Sequence, residues 1–312
     1  MRLLRRSARY WPLAPFVAYA GYAAQRSDLR FDHLAVIAIV AALTFGGRWT
    51  KELLFGLYPL GLVFLLYDGM RPFQRLGLTE DRVLLCDLRA LEARLFGAGG
   101  STVHDYWQAH PSTVLDLFCA IPYATFILWC FAGAVVLYVR QRPLMKRFMW
   151  GFFLMNCAGF VTYHLLPAAP PWYFHAHGCV VDLAARASEG PALARVDALL
   201  GIGWFHGMYA KASSVFGALP SLHCAYPLLL VLIGWPAFGL GLRIATLGYW
   251  VAMMFSAVYL DHHWIIDAVL GDAFAVVTAV VLGAFSRGAA GRARHVQRYV
   301  HLNETRKALP AA

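Results

Sequence analysis

"YLDHHWIIDAVLGD", residues 259–272, lies between two strongly apolar stretches, and its reading decides how the rest of the chain is read. The apolar run continues to residue 285. A segment 264–285 is long enough to cross a bilayer as a helix, for which about 20 apolar residues suffice. It carries Asp267 and Asp272 into that span, and a carboxylate there marks function until a partner accounts for it. Asp267 follows His263 by four residues, so a helix stacks the two on one face. Asp272 has no evident partner.

Comparable runs lie upstream at 33–48, 52–70, 115–139, 147–166, 222–238 and 243–260. The 312 residues are 60% hydrophobic and 14% charged, with mean hydropathy +0.56. Soluble domains carry about 25% charged residues. The expected fold is therefore an all-α polytopic membrane protein. A weaker stretch, "YWPLAPFVAYAGYAA" (10–24), lacks the small-residue cleavage site of a signal peptide. Counting it gives eight spans; laying it in the interface gives seven. We divide the chain into N-terminal membrane helices (1–50), a catalytic membrane domain (51–287) and a basic cytoplasmic tail (288–312).

Charge sets the orientation. Arg140, Arg142, Lys146 and Arg147 crowd one short loop, Arg243 lies in the next loop of that parity, and the tail adds more. Short basic loops stay in the cytoplasm, which places both chain ends inside. The net charge of +10 then reflects topology and anionic lipid, with no call on nucleic acid. Loops 71–114, 167–221 and 261–263 face out, the first as an amphipathic surface helix. The six cysteines show no metal spacing, and whether Cys86 and Cys179 pair in the outer loops is left open by the sequence.

Three segments converge at that outer face: "YHLLPAAPPWYFHAH" (163–177), "FGALPSLHCAYP" (216–227) and the opening stretch. His223 and His263 thus come to similar depth. An imidazole oriented by a carboxylate on one nitrogen can attack phosphorus with the other. His263 and Asp267 fit that pair, and His223 suits the general acid and base. Ser221 reads as a helix cap or phosphate donor, and Asp261 as a cap for the last span. Two helix N-termini then point at a bound phosphate. We read His33, His104, His110, His206, His295 and His301 as solvated or capping residues, and His262 as facing away from His263.

At these residues the chain resembles the type 2 phosphatidic acid phosphatase superfamily: "PSLH" (220–223) looks like its Pro-Ser-x-His motif and "HWIID" (263–267) like its His-x-x-x-Asp motif. With "LLYDGMRP" (65–72), "LDLFCAIPY" (115–123) and "LPAAPPWY" (166–173), it is similar to the inositol phosphorylceramide synthase branch over roughly residues 50–285. The resemblance implies a six-helix core and no metal or other cofactor. It implies His263 as a nucleophile forming a phosphohistidine, Asp267 as its orienting partner and His223 as acid and base. The implied partners are a phospholipid donor, phosphatidylinositol in the first instance, and a ceramide-like acceptor within the bilayer. Diacylglycerol is released.

The phosphatase pattern is incomplete here. Phe64 stands where its Lys would precede Arg71-Pro72, and Ser256-Ala257 replaces its Ser-Arg. Fewer fixed cations suit a singly charged phosphodiester, favouring a head-group transferase over a lipid phosphate or prenyl-diphosphate phosphatase. Arg71 and Lys211 are the candidate phosphate ligands; Trp172 and Tyr173 are candidate lipid contacts, and His164, His175 and His177 candidate head-group contacts. A transporter lined by Asp267 and Asp272, or a lipid-binding membrane protein, is the non-enzyme alternative. The chain shows no repeated half that would favour transport. An Ala- and Arg-rich composition points to a bacterial inner membrane with the site on the periplasmic face, or to the Golgi lumen in a eukaryote.

Overall fold

Apolar segments in lipid must satisfy their own backbone groups, and a helix does so within one segment. The computed structural model describes residues 11–70, 73, 76–185, 191–210 and 215–285, which are mostly helical and contain no strand beyond isolated bridges. The tail assigned to 288–312, with His295 and His301, lies outside the described residues, as do Arg71 and Lys211.

In chain order, α1 (Ala14–Gln25) and α2 (Phe31–Phe45) precede α3 (Arg48–Gly69). Short helices α4 (Cys86–Phe96) and α5 (Val103–Ala109) lead to α6 (Thr113–Arg140) and α7 (Arg142–Leu165). Then come α8 (Pro171–His177), α9 (Pro191–Leu200), α10 (Trp204–Tyr209), α11 (Leu222–Gly234), α12 (Leu240–Tyr259) and α13 (Ile265–Phe285).

Four of these, α3, α6, α12 and α13, are long and apolar enough to cross a membrane. The other expected spans depart for identifiable reasons. α1 has 12 residues, rising about 18 Å against a hydrocarbon core of about 30 Å. α2 and the segment Leu222–Ala237 are apolar but shorter than a full span. α7 has the length, with 24 residues, but opens on Arg142, Lys146 and Arg147 and buries Asn156, which accepts from the Tyr226 hydroxyl at 2.7 Å. Almost every residue of α11 is buried, because α6, α7 and α12 surround it. Protein rather than lipid solvates it, so its length is not tied to the bilayer.

Both intramembrane carboxylates of α13 have polar neighbours. Trp250 Nε1 donates to Asp272 Oδ1 at 3.1 Å, which joins α12 to α13 and supplies the partner missing from the sequence reading. At the N-terminal end, Asp68 of α3 accepts from Tyr19 at 2.6 Å and Arg30 at 2.6 Å, and lies 2.9 Å from His33 Nε2. His33 is therefore a buried tie between α2 and α3, not a solvated residue.

Three loops at one end of the helices are laced together by parallel bridges, Leu84 to Ala168 and Ala168 to Gly217. Ala169 N donates to Leu84 O and Ala168 N to Phe216 O, each at 2.9 Å; Ala218 N donates to Ala168 O at 3.1 Å. Alanines suit this lacing because larger side chains would hold the three backbones apart; Ala168 and Ala169 are fully buried. The Cys86–Cys179 disulfide closes the same region, joining the start of α4 to the segment after α8 across 93 residues. Replacing both cysteines by serine is expected to lower stability by about 2–5 kcal/mol. Thermal unfolding in detergent would show it, and an unchanged midpoint with and without reductant would contradict it.

Candidate active site

The site is built where the α12–α13 connection meets the N-terminus of α11. Ser221 caps α11, its Oγ accepting from Cys224 N at 3.4 Å. Its own amide donates to Asp267 O of α13 at 2.8 Å. The two backbones touch because residue 271 is glycine: a Cβ there would lie 2.1 Å from Ser221 O. At the other side, Ala257 O accepts the amides of both His262 and His263 at 3.1 Å. Ala257 is fully buried, so the arginine of the phosphatase pattern has no room at this position.

These constraints bring the two histidines together. His223 Nδ1 lies 3.1 Å from His263 Nε2. His263 Nδ1 lies 3.0 Å from Ala218 O and 3.7 Å from Asp267 Oδ2. The expected carboxylate is thus one helical turn away, but the carbonyl is the hydrogen-bond partner. A carbonyl only accepts, so His263 Nδ1 carries the proton and Nε2 the lone pair. His223 Nδ1–H then donates to that lone pair. Burial pushes the His263 imidazole down to about 4, against the upward pull of Ala218 O. Near pH 7 it is neutral, with its lone pair on Nε2.

Asp267 Oδ2 accepts from Trp264 N at 2.9 Å, and its Oδ1 is buried without a hydrogen-bond partner. The first amides of α13 go elsewhere: Glu92 of α4 accepts from Ile265 N at 2.8 Å and Ile266 N at 3.2 Å. Asp261 does not cap this helix. It adopts a left-handed φ of 64° and turns its carboxylate to His175. His104, expected to be solvated, is fully buried, and its Nε2 donates to His263 O at 2.9 Å.

His175, a candidate head-group contact, is occupied by protein. Its Nδ1 meets Asp261 Oδ2 at 2.6 Å and its Nε2 meets Asp105 Oδ1 at 3.0 Å, while Arg89 donates to Asp105 Oδ2 at 2.9 Å. Two acceptors require both ring nitrogens to donate, which is the imidazolium. Burial opposes that charge, but the bonds and charges of Asp261 and Asp105 outweigh it and raise the His175 pKa above 6.5. A raised pKa stabilises the fold fully below pH 6.5, and the contribution is lost as pH rises through the folded value. The unfolding midpoint is accordingly expected to fall over that alkaline range, and His175→Asn to flatten the slope. An equal slope in both proteins would refute the imidazolium. His104 and, through Asp105, Arg89 are further titratable or charged neighbours.

The remaining candidates are placed as follows. Trp172 and Tyr173 are buried core residues, not exposed lipid contacts. Trp172 N donates to Asp261 O, and the Tyr173 hydroxyl accepts from Asp182 N at 2.6 Å. Their segment holds the α12–α13 connection, aided by Trp264 Nε1, which donates to Ala169 O at 2.9 Å. Ser221 is fully buried beneath the histidines. His262 does not face away: its Nε2 lies 3.0 Å from the Tyr209 hydroxyl, and its ring packs 4.8 Å from Tyr123. Arg71 and Lys211 fall outside the described residues.

Sequence reasoning missed Glu92, His104 and Ala218. Glu92 had a legible signal, since it follows Leu88 by four residues on the one buried face of α4. A carbonyl such as Ala218 O leaves no signal, because every residue has one.

A family model described as the PAP2 superfamily matches residues 86–281. A phosphoinositol dihydroceramide synthase of Bacteroides thetaiotaomicron is 31% identical over 260 residues, covering 80% of this chain and 83% of that protein. An inositol phosphorylceramide synthase of Candida albicans is 30% identical, covering 59% of this chain and 39% of its own length. The inositol phosphorylceramide synthase catalytic subunit of Saccharomyces cerevisiae is 30% identical, covering 61% and 47% respectively. The chain thus spans under half the length of these two fungal relatives. No solved structure matches it significantly.

Proposed function

The chain belongs to the PAP2 superfamily, and from that premise we propose that it is a lipid phosphotransferase moving phosphoinositol from phosphatidylinositol to ceramide or dihydroceramide. The observation that carries this reading is the His223–His263 pair, with one nitrogen of His263 pinned by Ala218 O and the other unprotonated.

In the first half-reaction, His263 Nε2 attacks the donor phosphorus. An N–P bond forms, the P–O bond to diacylglycerol breaks, and His223 gives its proton to the leaving oxygen. In the second, the acceptor hydroxyl returns a proton to His223 and attacks the same phosphorus. The N–P bond breaks, and both histidines regain their starting states. Phosphorus enters between two nitrogens now 3.1 Å apart, so binding separates the rings.

The phosphodiester carries one negative charge, in keeping with the sparse cations. Phe64, in place of the phosphatase lysine, packs against His33, and Ala257 occupies the arginine position. The site faces the outer side of the membrane in this reading. The basic loops lie at the opposite ends of the helices, and the Cys86–Cys179 bond belongs to an oxidising compartment.

Asp267→Asn is expected to slow turnover about tenfold, well short of the ~10⁴ lost where a carboxylate alone sets the tautomer. Asparagine still accepts from Trp264 N, and Ala218 O still holds His263 Nδ1. A loss near 10⁴ in kcat would return the orienting role to the carboxylate. The function itself is tested with purified protein in mixed micelles holding phosphatidylinositol labelled in its head group. Label passing to a new lipid only when ceramide is added, with diacylglycerol released, is the expected result. Water-soluble label released equally with and without ceramide would make the protein a hydrolase instead.

A further inference from the structure

His223 must hold a proton to act as an acid, yet it is surrounded by neutral groups. Its Nδ1 faces His263, and the carboxylate of Asp267 lies beyond that second imidazole, 3.7 Å from its far nitrogen. Of the titratable groups on this side, Tyr123 stacks on it, with His262 behind Tyr123 and Tyr209 behind His262. Burial holds His262 well below 6.5, so it stays uncharged.

What His223 does have is aromatic surface. Tyr123 of α6 stacks on it with centroids 4.9 Å apart and planes 28° from parallel, and Phe126, one turn on, meets it at 4.7 Å. Tyr123 also packs on His262 at 4.8 Å, and His262 on Tyr209 at 4.9 Å, so three rings run in series to the acid. Tyr123 is fully buried, and its hydroxyl has no hydrogen-bond partner. A buried tyrosine usually finds a partner for its hydroxyl, so the orphaned group leaves the ring face as the part of this side chain that has a job. An aromatic face attracts a cation within about 6 Å of its centroid, more strongly where water is excluded.

We propose that the Tyr123 ring is a positioning residue for the transfer, its π face stabilising the protonated form of His223 in place of a carboxylate. This rests on the acid–base role given to His223 above. A neutral partner has a specific advantage. A carboxylate at this distance would hold the proton too firmly and repel the incoming phosphodiester, whereas a ring face does neither.

The test is the titration of His223 in the full-length protein in detergent, read by ¹⁵N-histidine NMR and assigned by the signal lost in His223→Gln. Tyr123→Leu is expected to lower the His223 midpoint by about 0.5–1.5 pH units. The alkaline limb of kcat should move down with it, and Tyr123→Phe, which keeps the face, should restore both. Because leucine risks misfolding, phenylalanines bearing one, two and three fluorines at position 123 provide a second series of nearly constant shape. The midpoint should fall stepwise as fluorine drains the ring face. A midpoint unchanged across the fluorinated series overturns the proposal. That outcome leaves the phosphotransferase reading intact, since the reading is judged separately by whether label moves to ceramide.

Discussion

His263→Ala is expected to lower turnover by about 10⁴-fold or more, to the background of the assay, because it removes the nitrogen that the proposed mechanism uses to form the N–P bond. Binding of the donor lipid should survive, since the imidazole attacks phosphorus and does not hold the acyl chains. The fold should survive too. The His263 backbone keeps its bonds from His104 Nε2 and to Ala257 O, and neither involves the imidazole. The side chain gives up its bond to Ala218 O and the one it accepts from His223 Nδ1, a loss of about 1 kcal/mol each. A folded protein with a modestly lowered unfolding midpoint and no turnover is therefore the predicted combination. Full activity in the purified variant would remove His263 from the mechanism altogether.

Gly271→Ala is the second large effect, and it reaches the chemistry through the backbone. The added Cβ would sit 2.1 Å from Ser221 O and 2.9 Å from Ser221 C. Both are main-chain atoms, so no side chain can rotate away, and the α11 cap must move off α13. That shift strains or breaks the Ser221 N to Asp267 O bond and carries His223, two residues on, away from His263. Displacement of a reacting group by about 1 Å costs on the order of 10²-fold in rate, and overpacking a close contact costs about 1–3 kcal/mol. We expect kcat to fall at least about 10²-fold, with a lower unfolding midpoint. By contrast, a variant with the parent's kcat would show that the two helices are not held in register at this point.

The sequence made the membrane solvent, the helical class and the two histidines legible because each rests on a local pattern. Apolar length identifies spans, and "PSLH" and "HWIID" fix His223 and His263 against the helices that follow them. Span number was less legible, since α7 and α11 are enclosed by protein and so escape the length and polarity rules that lipid imposes. The environment of the histidines was the least legible part. His263 is oriented by Ala218 O from 45 residues away, and α13 is capped by Glu92 from 173 residues away. Likewise, Trp172 and Tyr173 looked like interface residues by type, yet the lacing of loops 84, 168 and 217 turns them inward. Spacing along a helix finds partners one turn apart, and in this site the partner that matters comes from another loop.

The central claim, a covalent intermediate on His263, is tested most directly by trapping it. Purified protein is given phosphatidylinositol labelled in its head group, with the ceramide acceptor left out, then quenched at alkaline pH and mapped by mass spectrometry. An acid-labile phosphoinositol adduct on the peptide carrying His263 is expected, formed with release of diacylglycerol and discharged when ceramide is added. Transfer to ceramide at the normal rate with no adduct on His263, or with the adduct on His223, would contradict it.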